Sequence, residues 1–169
     1  MWVYRGEMKQ SIYRFKDGGR REYAEFYAKE SARLYGDWMK RNEIQAIIPI
    51  PIHKHKKHQR GYNQAEVFAR RLGELCGLPT DTKSLIRVVD TLPQKTLNDR
   101  ERKNNLKKAF KIGVNGVQWK KVLVVDDIYT TGSTVDAAAS VLQEAGVEKI
   151  YILSITIGNG YQEEEVEWM

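Results

Sequence analysis

VLVVDDIYTTGST, residues 122–134, decides the fold of this chain. The run KVLVVD at 121–126 is unbroken, apolar and β-branched, the pattern of a strand covered on both faces. Such a strand delivers two adjacent carboxylates, Asp126 and Asp127, to its carboxyl end. In an open α/β sheet that is the edge where ligands bind. Thr130, Thr131, Gly132, Ser133 and Thr134 follow and open a helix. Gly132 lets the backbone turn freely and approach a ligand closely. Free N–H groups at the helix start, joined by four hydroxyls, make an anion cradle. Carboxylates beside such a cradle suit a ligand with both hydroxyls and phosphate, such as a sugar phosphate. The stretch has neither G-x-x-x-x-G-K-[ST] nor G-x-G-x-x-G, so it is not a Walker loop or a dinucleotide fingerprint. The plainer alternative, that the two acids only cap the next helix, leaves TTGST unexplained.

Outward from this stretch, Gly132 to Ala145 predicts a helix with Val135, Ala138, Ala139 and Leu142 inward, ended by Gly146. KIYILSITI at 149–157 predicts the next strand. Strand, helix and strand at this spacing form a βαβ unit and imply a parallel sheet. Upstream, residues 21–41 predict a helix with one apolar stripe of Tyr23, Phe26, Tyr27, Leu34 and Trp38. QAIIPI at 45–50 predicts a short buried strand, ended by Pro49 and Pro51. A loop of about a dozen residues should follow, then a helix from Asn63 to Leu75 with Asn63 as N-cap and Gly77 at its end. KSLIRVV at 83–89 reads as another strand. Residues 90–105 are polar, basic and without period, and a loop that long is usually functional.

At 169 residues the chain suggests one domain, since about 150 residues per domain is usual. Its apolar runs fall far short of the roughly 20 residues of a membrane helix. MWVYRGEMKQ at the start has no apolar core of a secretory signal. Cys76 is the single cysteine, which excludes an intramolecular disulfide and a cysteine-based zinc cage. A reduced, cytoplasmic, non-membrane protein is expected. The net charge is +6; without Glu163, Glu164, Glu165 and Glu167 of the acidic tail, 28 basic residues face 18 acidic ones, +10. Much of the excess lies in HKHKKHQR at 53–60 and RERKNNLKKAFK at 100–111, and clustered positive charge suits phosphates. The H-x-H-x-x-H of His53, His55 and His58 is crowded by lysines, which disfavour a metal there. Asn63 and Gln64 suit helix capping as well as ligand contact, and Tyr129 suits stacking on a base as well as packing on the sheet.

VLVVDDIYTTGST resembles the phosphoribosyl-pyrophosphate (PRPP) motif of type I phosphoribosyltransferases. IIPIPIHKHKKHQRGYNQA at 47–65 is similar to the first loop of their ComF/ComFC branch, with Pro-x-Pro and then Arg-Gly-aromatic-Asn-Gln. LPQKTLNDRERKNNLKKAF at 92–110 is similar to the same branch's Gln-x-x-Leu and Arg-x-x-Asn-Leu-x-x-Ala-Phe stretch, and YRG at 4–6 with FKDGGR at 15–20 fits it too. The resemblance spans roughly residues 4–158. Members often begin with a four-cysteine zinc ribbon, which this sequence lacks. The resemblance thus implies either a naturally short member or one whose ribbon was cut away, and partner contacts made by a ribbon are not expected to carry over.

The resemblance implies a type I phosphoribosyltransferase-like α/β fold: a parallel sheet of about five strands, helices on both faces, and a hood formed partly by residues 1–20, with an acidic tail at 159–169. It implies that Asp126 and Asp127 hold the ribose hydroxyls and that Thr130, Thr131, Gly132, Ser133 and Thr134 hold the 5′-phosphate. Pyrophosphate would lie against residues 52–61, with Lys56, Arg60 and Gly61 as candidates. A mobile loop over the site would include Gln94, Arg102 and Asn105. Mg²⁺ would bridge ligand oxygens and need few or no direct protein ligands. The function implied is binding of PRPP or a related nucleotide phosphate, with phosphoribosyl transfer and release of pyrophosphate. The competing expectation is a non-catalytic nucleotide- or single-stranded-DNA-binding accessory protein of competence and DNA uptake, acting with DNA-uptake proteins.

Overall fold

The computed structural model describes residues 2–89 and 109–158. Four parallel strands form the main sheet: β1 (Trp2–Val3), β2 (Ala46–Pro49), β5 (Lys121–Tyr129) and β6 (Lys149–Ile157), in the order β1-β6-β5-β2. β5 is central because its side chains are apolar on both faces. Val122 and Val124 join one core with Ile48, Ala138 and Leu142; Leu123 and Val125 join the other with Tyr27, Phe68 and Leu72. Burying a side chain such as Leu123 or Leu142 stabilises by about 1.5–3 kcal/mol. A fifth sheet position beside β2 is held by two hydrogen bonds only, Ile47 N–H to Pro79 O (2.9 Å) and Asp81 N–H to Ile47 O (2.9 Å). No strand develops there. Pro79 has no N–H to give, and Asp81 Oδ1 accepts from Lys83 N–H and Ser84 N–H, which turns the chain away.

The helices α1 (Gly6–Lys16), α2 (Tyr23–Arg41) and α4 (Gln64–Cys76) belong to the core that contains Leu123 and Val125. The opposite face carries α5 (Ser133–Glu144) and a separate antiparallel pair, β3 (Leu85–Arg87) with β4 (Phe110–Ile112). The βαβ unit of 121–157 is as expected, and β5 runs three residues further, through both acids. Three expectations are corrected. The single stripe on α2 divides: Tyr27 is fully buried, whereas Phe26 and Leu34 are exposed. The buried arc of α2 runs instead through Ala24, Ala28 and Ser31, small residues that allow close packing, with Tyr27 and Met39. The loop after β2 contains a short helix, α3 (Lys54–Arg60), started by the His53 side chain and ended by Gly61 at φ +76°. Of the segment assigned to a hood, Trp2–Val3 is an edge strand of the main sheet beside β6.

Candidate functional site

Asp126 and Asp127 lie near the carboxyl end of β5, in register with the carboxyl-terminal part of β6. Asp127 follows Leu123 and Val125 on the face of α1, and it is buried, 7% exposed. Asp126 lies beside Ser154 in the ladder, and its Oδ1 accepts the Asp127 N–H at 2.8 Å. Burial, then the neighbouring Asp127 carboxylate, raise the Asp126 carboxyl well above its ordinary pKa. Ser154 Oγ is buried here with no hydrogen-bond partner among the described residues. Lys16 Nζ lies 2.8 Å from Asp127 Oδ2. The two form a largely buried ion pair.

The small-residue loop begins where β5 ends. Thr130 and Thr131 are exposed, and the Thr131 and Ser133 hydroxyls lie 2.9 Å apart. Gly132 takes φ +77° at the start of α5, a conformation that glycine adopts without strain. The Tyr129 ring lies over it: a Cβ there would sit 2.5 Å from Tyr129 Oη. Tyr129 therefore packs on the loop, a third position beside the two considered from sequence. The N–H groups of the first turn of α5 open onto the same edge as the two acids.

The 60–64 corner is brought to this edge by β2. Ile50 N–H donates to Val125 O (2.8 Å), and Asn63 Nδ2 donates to Ile50 O (3.0 Å). Asn63 also caps α4 through Ala65 N–H, so its capping role is the one seen. Gln64 Nε2 donates to Lys16 O (2.8 Å), Tyr62 Oη donates to Phe15 O, and Arg60 Nε pairs with Asp17 Oδ1 (3.0 Å). Arg21 lies over the Tyr62 ring at 4.6 Å and donates to Gly61 O at 3.1 Å. The FKDGGR and RGYNQ segments are thus one packed unit that carries Arg60 and Gly61. Lys56 is half-buried on α3. Gln94, Arg102 and Asn105 lie outside the described residues. Sequence reasoning missed Lys16 and Asp17; their only signal was FKDGGR, to which no role was attached.

The phosphoribosyl transferase domain family matches residues 61–168, from this corner through the loop and beyond. The chain belongs to that family. Competence protein F of Haemophilus influenzae is 36% identical over 110 residues, 64% of this chain and 48% of that protein. Competence protein ComFC of Bacillus subtilis is 27% identical over 151 residues, 86% of this chain and 58% of that protein. The chain spans about half the length of the curated relatives it matches. Among solved structures, the glutamine PRPP amidotransferase of Bacillus subtilis, complexed with ADP and GMP, superposes with a TM-score of 0.51 at 19% identity. The match covers 81% of this chain and 26% of that one and bears on the fold alone. The phosphoribosyltransferase fold and the ComF-like membership expected from sequence both hold. No described helix is long and apolar enough to cross a membrane.

Proposed function

We propose that the chain binds PRPP or a related nucleotide phosphate at the 126–134 edge and, with an acceptor present, transfers the phosphoribosyl group. The observation that carries this reading is the Asp126–Asp127 pair set beside the Gly132 loop at the carboxyl edge of a central parallel strand. Asp126 and Asp127 would accept hydrogen bonds from the ribose hydroxyls. The hydroxyls and N–H groups of residues 130–134 would hold the 5′-phosphate. Arg60 and Lys56 would face the pyrophosphate, and Gly61 would allow close backbone approach. The C1–O bond breaks with its electron pair leaving on pyrophosphate, and the acceptor's lone pair forms the new bond. The transition state resembles an oxocarbenium ion, so catalysis rests on positioning and on stabilising the leaving charge.

The residues present fit Mg²⁺. Asp126 and Asp127 offer hard oxygen donors, with Asp127 Oδ2 paired to Lys16. Bound there, Mg²⁺ would screen the pyrophosphate charge.

A second reading is favoured by α3. Its Lys54, His55, Lys57 and His58 are exposed and it contains no acidic residue, a surface suited to the backbone of single-stranded DNA. Competence relatives support that reading for the family. A thermal-shift titration with PRPP, single-stranded DNA and each in turn with Mg²⁺ separates the two. Stabilisation by PRPP that Asp126→Asn/Asp127→Asn abolishes supports the first reading, and stabilisation by DNA alone replaces it with the second.

A further inference from the structure

Lys16 is an unusual lysine. It ends α1, more than a hundred residues from the acids in sequence and outside the 61–168 family match. Its side chain is only 27% exposed, whereas lysines are rarely drawn so far from water without a partner. The partner is Asp127 Oδ2, 2.8 Å away. The backbone on either side is fixed. Gln64 holds the Lys16 carbonyl, Tyr62 holds the Phe15 carbonyl, and the Asp17 carboxylate holds Arg60. These contacts aim the ammonium at the acid pair from the same unit that carries the candidate pyrophosphate residues.

We propose that Lys16, paired with Asp127, is a ligand-positioning cation of this site, so that a phosphorylated ligand binds with reduced dependence on metal. The proposal rests on the phosphate-ligand reading above. The ammonium is a compact point charge with three rotatable donors. One donor direction serves Asp127, and the others are available to a ribose hydroxyl or a phosphate oxygen brought to the pair. Asp17 acts through Arg60, holding the guanidinium in place by a second ion pair in the same turn. Lys16 and Asp17 therefore join two of the expected site residues to one helix end.

The test is calorimetric binding of PRPP and of inorganic pyrophosphate, each in EDTA and in millimolar Mg²⁺, to the wild type, Lys16→Met and Lys16→Arg. The ratio of Kd in EDTA to Kd in Mg²⁺ is the readout, since a merely structural residue would change both values together. A charge-assisted contact of this kind is worth about tenfold in affinity or more, so that ratio should rise at least that far in Lys16→Met. Lys16→Arg keeps the charge and should stay near the wild type. Circular dichroism checks that Lys16→Met is folded; if it is not, Lys16→Gln takes its place. An unchanged ratio in a folded, charge-free variant overturns the role of Lys16 and leaves the phosphate-ligand reading standing. No binding of either ligand to the wild type under any condition overturns both.

Discussion

Replacing Gly132 by alanine isolates what the phosphate loop asks of its backbone. The residue takes φ +77°, and an L-residue held in that left-handed region costs about 1–2 kcal/mol. The added Cβ would also stand 2.5 Å from Tyr129 Oη and 3.1 Å from its Cζ. Both atoms belong to the far end of a flexible side chain, so the ring swings aside and the φ cost dominates. At roughly 2–4 °C per kcal/mol for a domain of this size, the melting temperature should fall by roughly 2–8 °C. The loss of PRPP affinity should be disproportionate, since the N–H groups that follow residue 132 re-aim with it. Thermal melts and calorimetric titration read the two effects separately. Gly132→Asn supplies the control, because asparagine tolerates the left-handed region better than alanine and should lose less stability. An alanine variant with native stability and native affinity would show that the conformation of Gly132 has no part in the site.

Two further outcomes follow from charge. Asp126→Asn should raise the melting temperature of the ligand-free protein at pH 7 while weakening ligand binding. The Asp126 pKa is raised in the folded state, so its contribution is present below the ordinary carboxylate value and is lost as pH climbs through the raised one. The gain from Asn should therefore shrink towards pH 4, and a lower melting temperature at pH 7 would contradict the assignment. Single-stranded DNA binding, read by fluorescence anisotropy, should weaken steeply from about 50 to 200 mM salt if α3 contacts phosphates. Lys54→Glu with Lys57→Glu should weaken it further, and salt-independent binding would refute a phosphate-contact surface.

The βαβ unit was legible because its information is contiguous: an apolar strand, a glycine at the turn and an apolar helix face lie within 121–157. The same contiguity made Asp126, Asp127 and the 130–134 loop visible. The α3 helix was not legible. Its seven residues are basic or polar with no apolar period, and the helix is fixed by the His53 cap and the left-handed Gly61. The stripe on α2 was misread because spacing marks several apolar residues as neighbours without saying which arc faces inward; small residues at Ala24, Ala28 and Ser31 decide that. The Lys16–Asp127 pair was invisible for a different reason. It joins the end of one helix to the end of a distant strand, and only the packing of residues 15–17 on the 60–64 corner brings them together.

The most direct test of the phosphate-ligand account is a thermal-shift titration with PRPP on the wild type and on Asp126→Asn/Asp127→Asn, with and without Mg²⁺. Ligand at a hundred times Kd stabilises by about 2.7 kcal/mol, which is roughly 5–10 °C here. The account predicts that shift in the wild type, strengthened by Mg²⁺, and its loss in a double variant that remains folded. A wild type that does not respond to PRPP, or a double variant that responds as strongly, would contradict it.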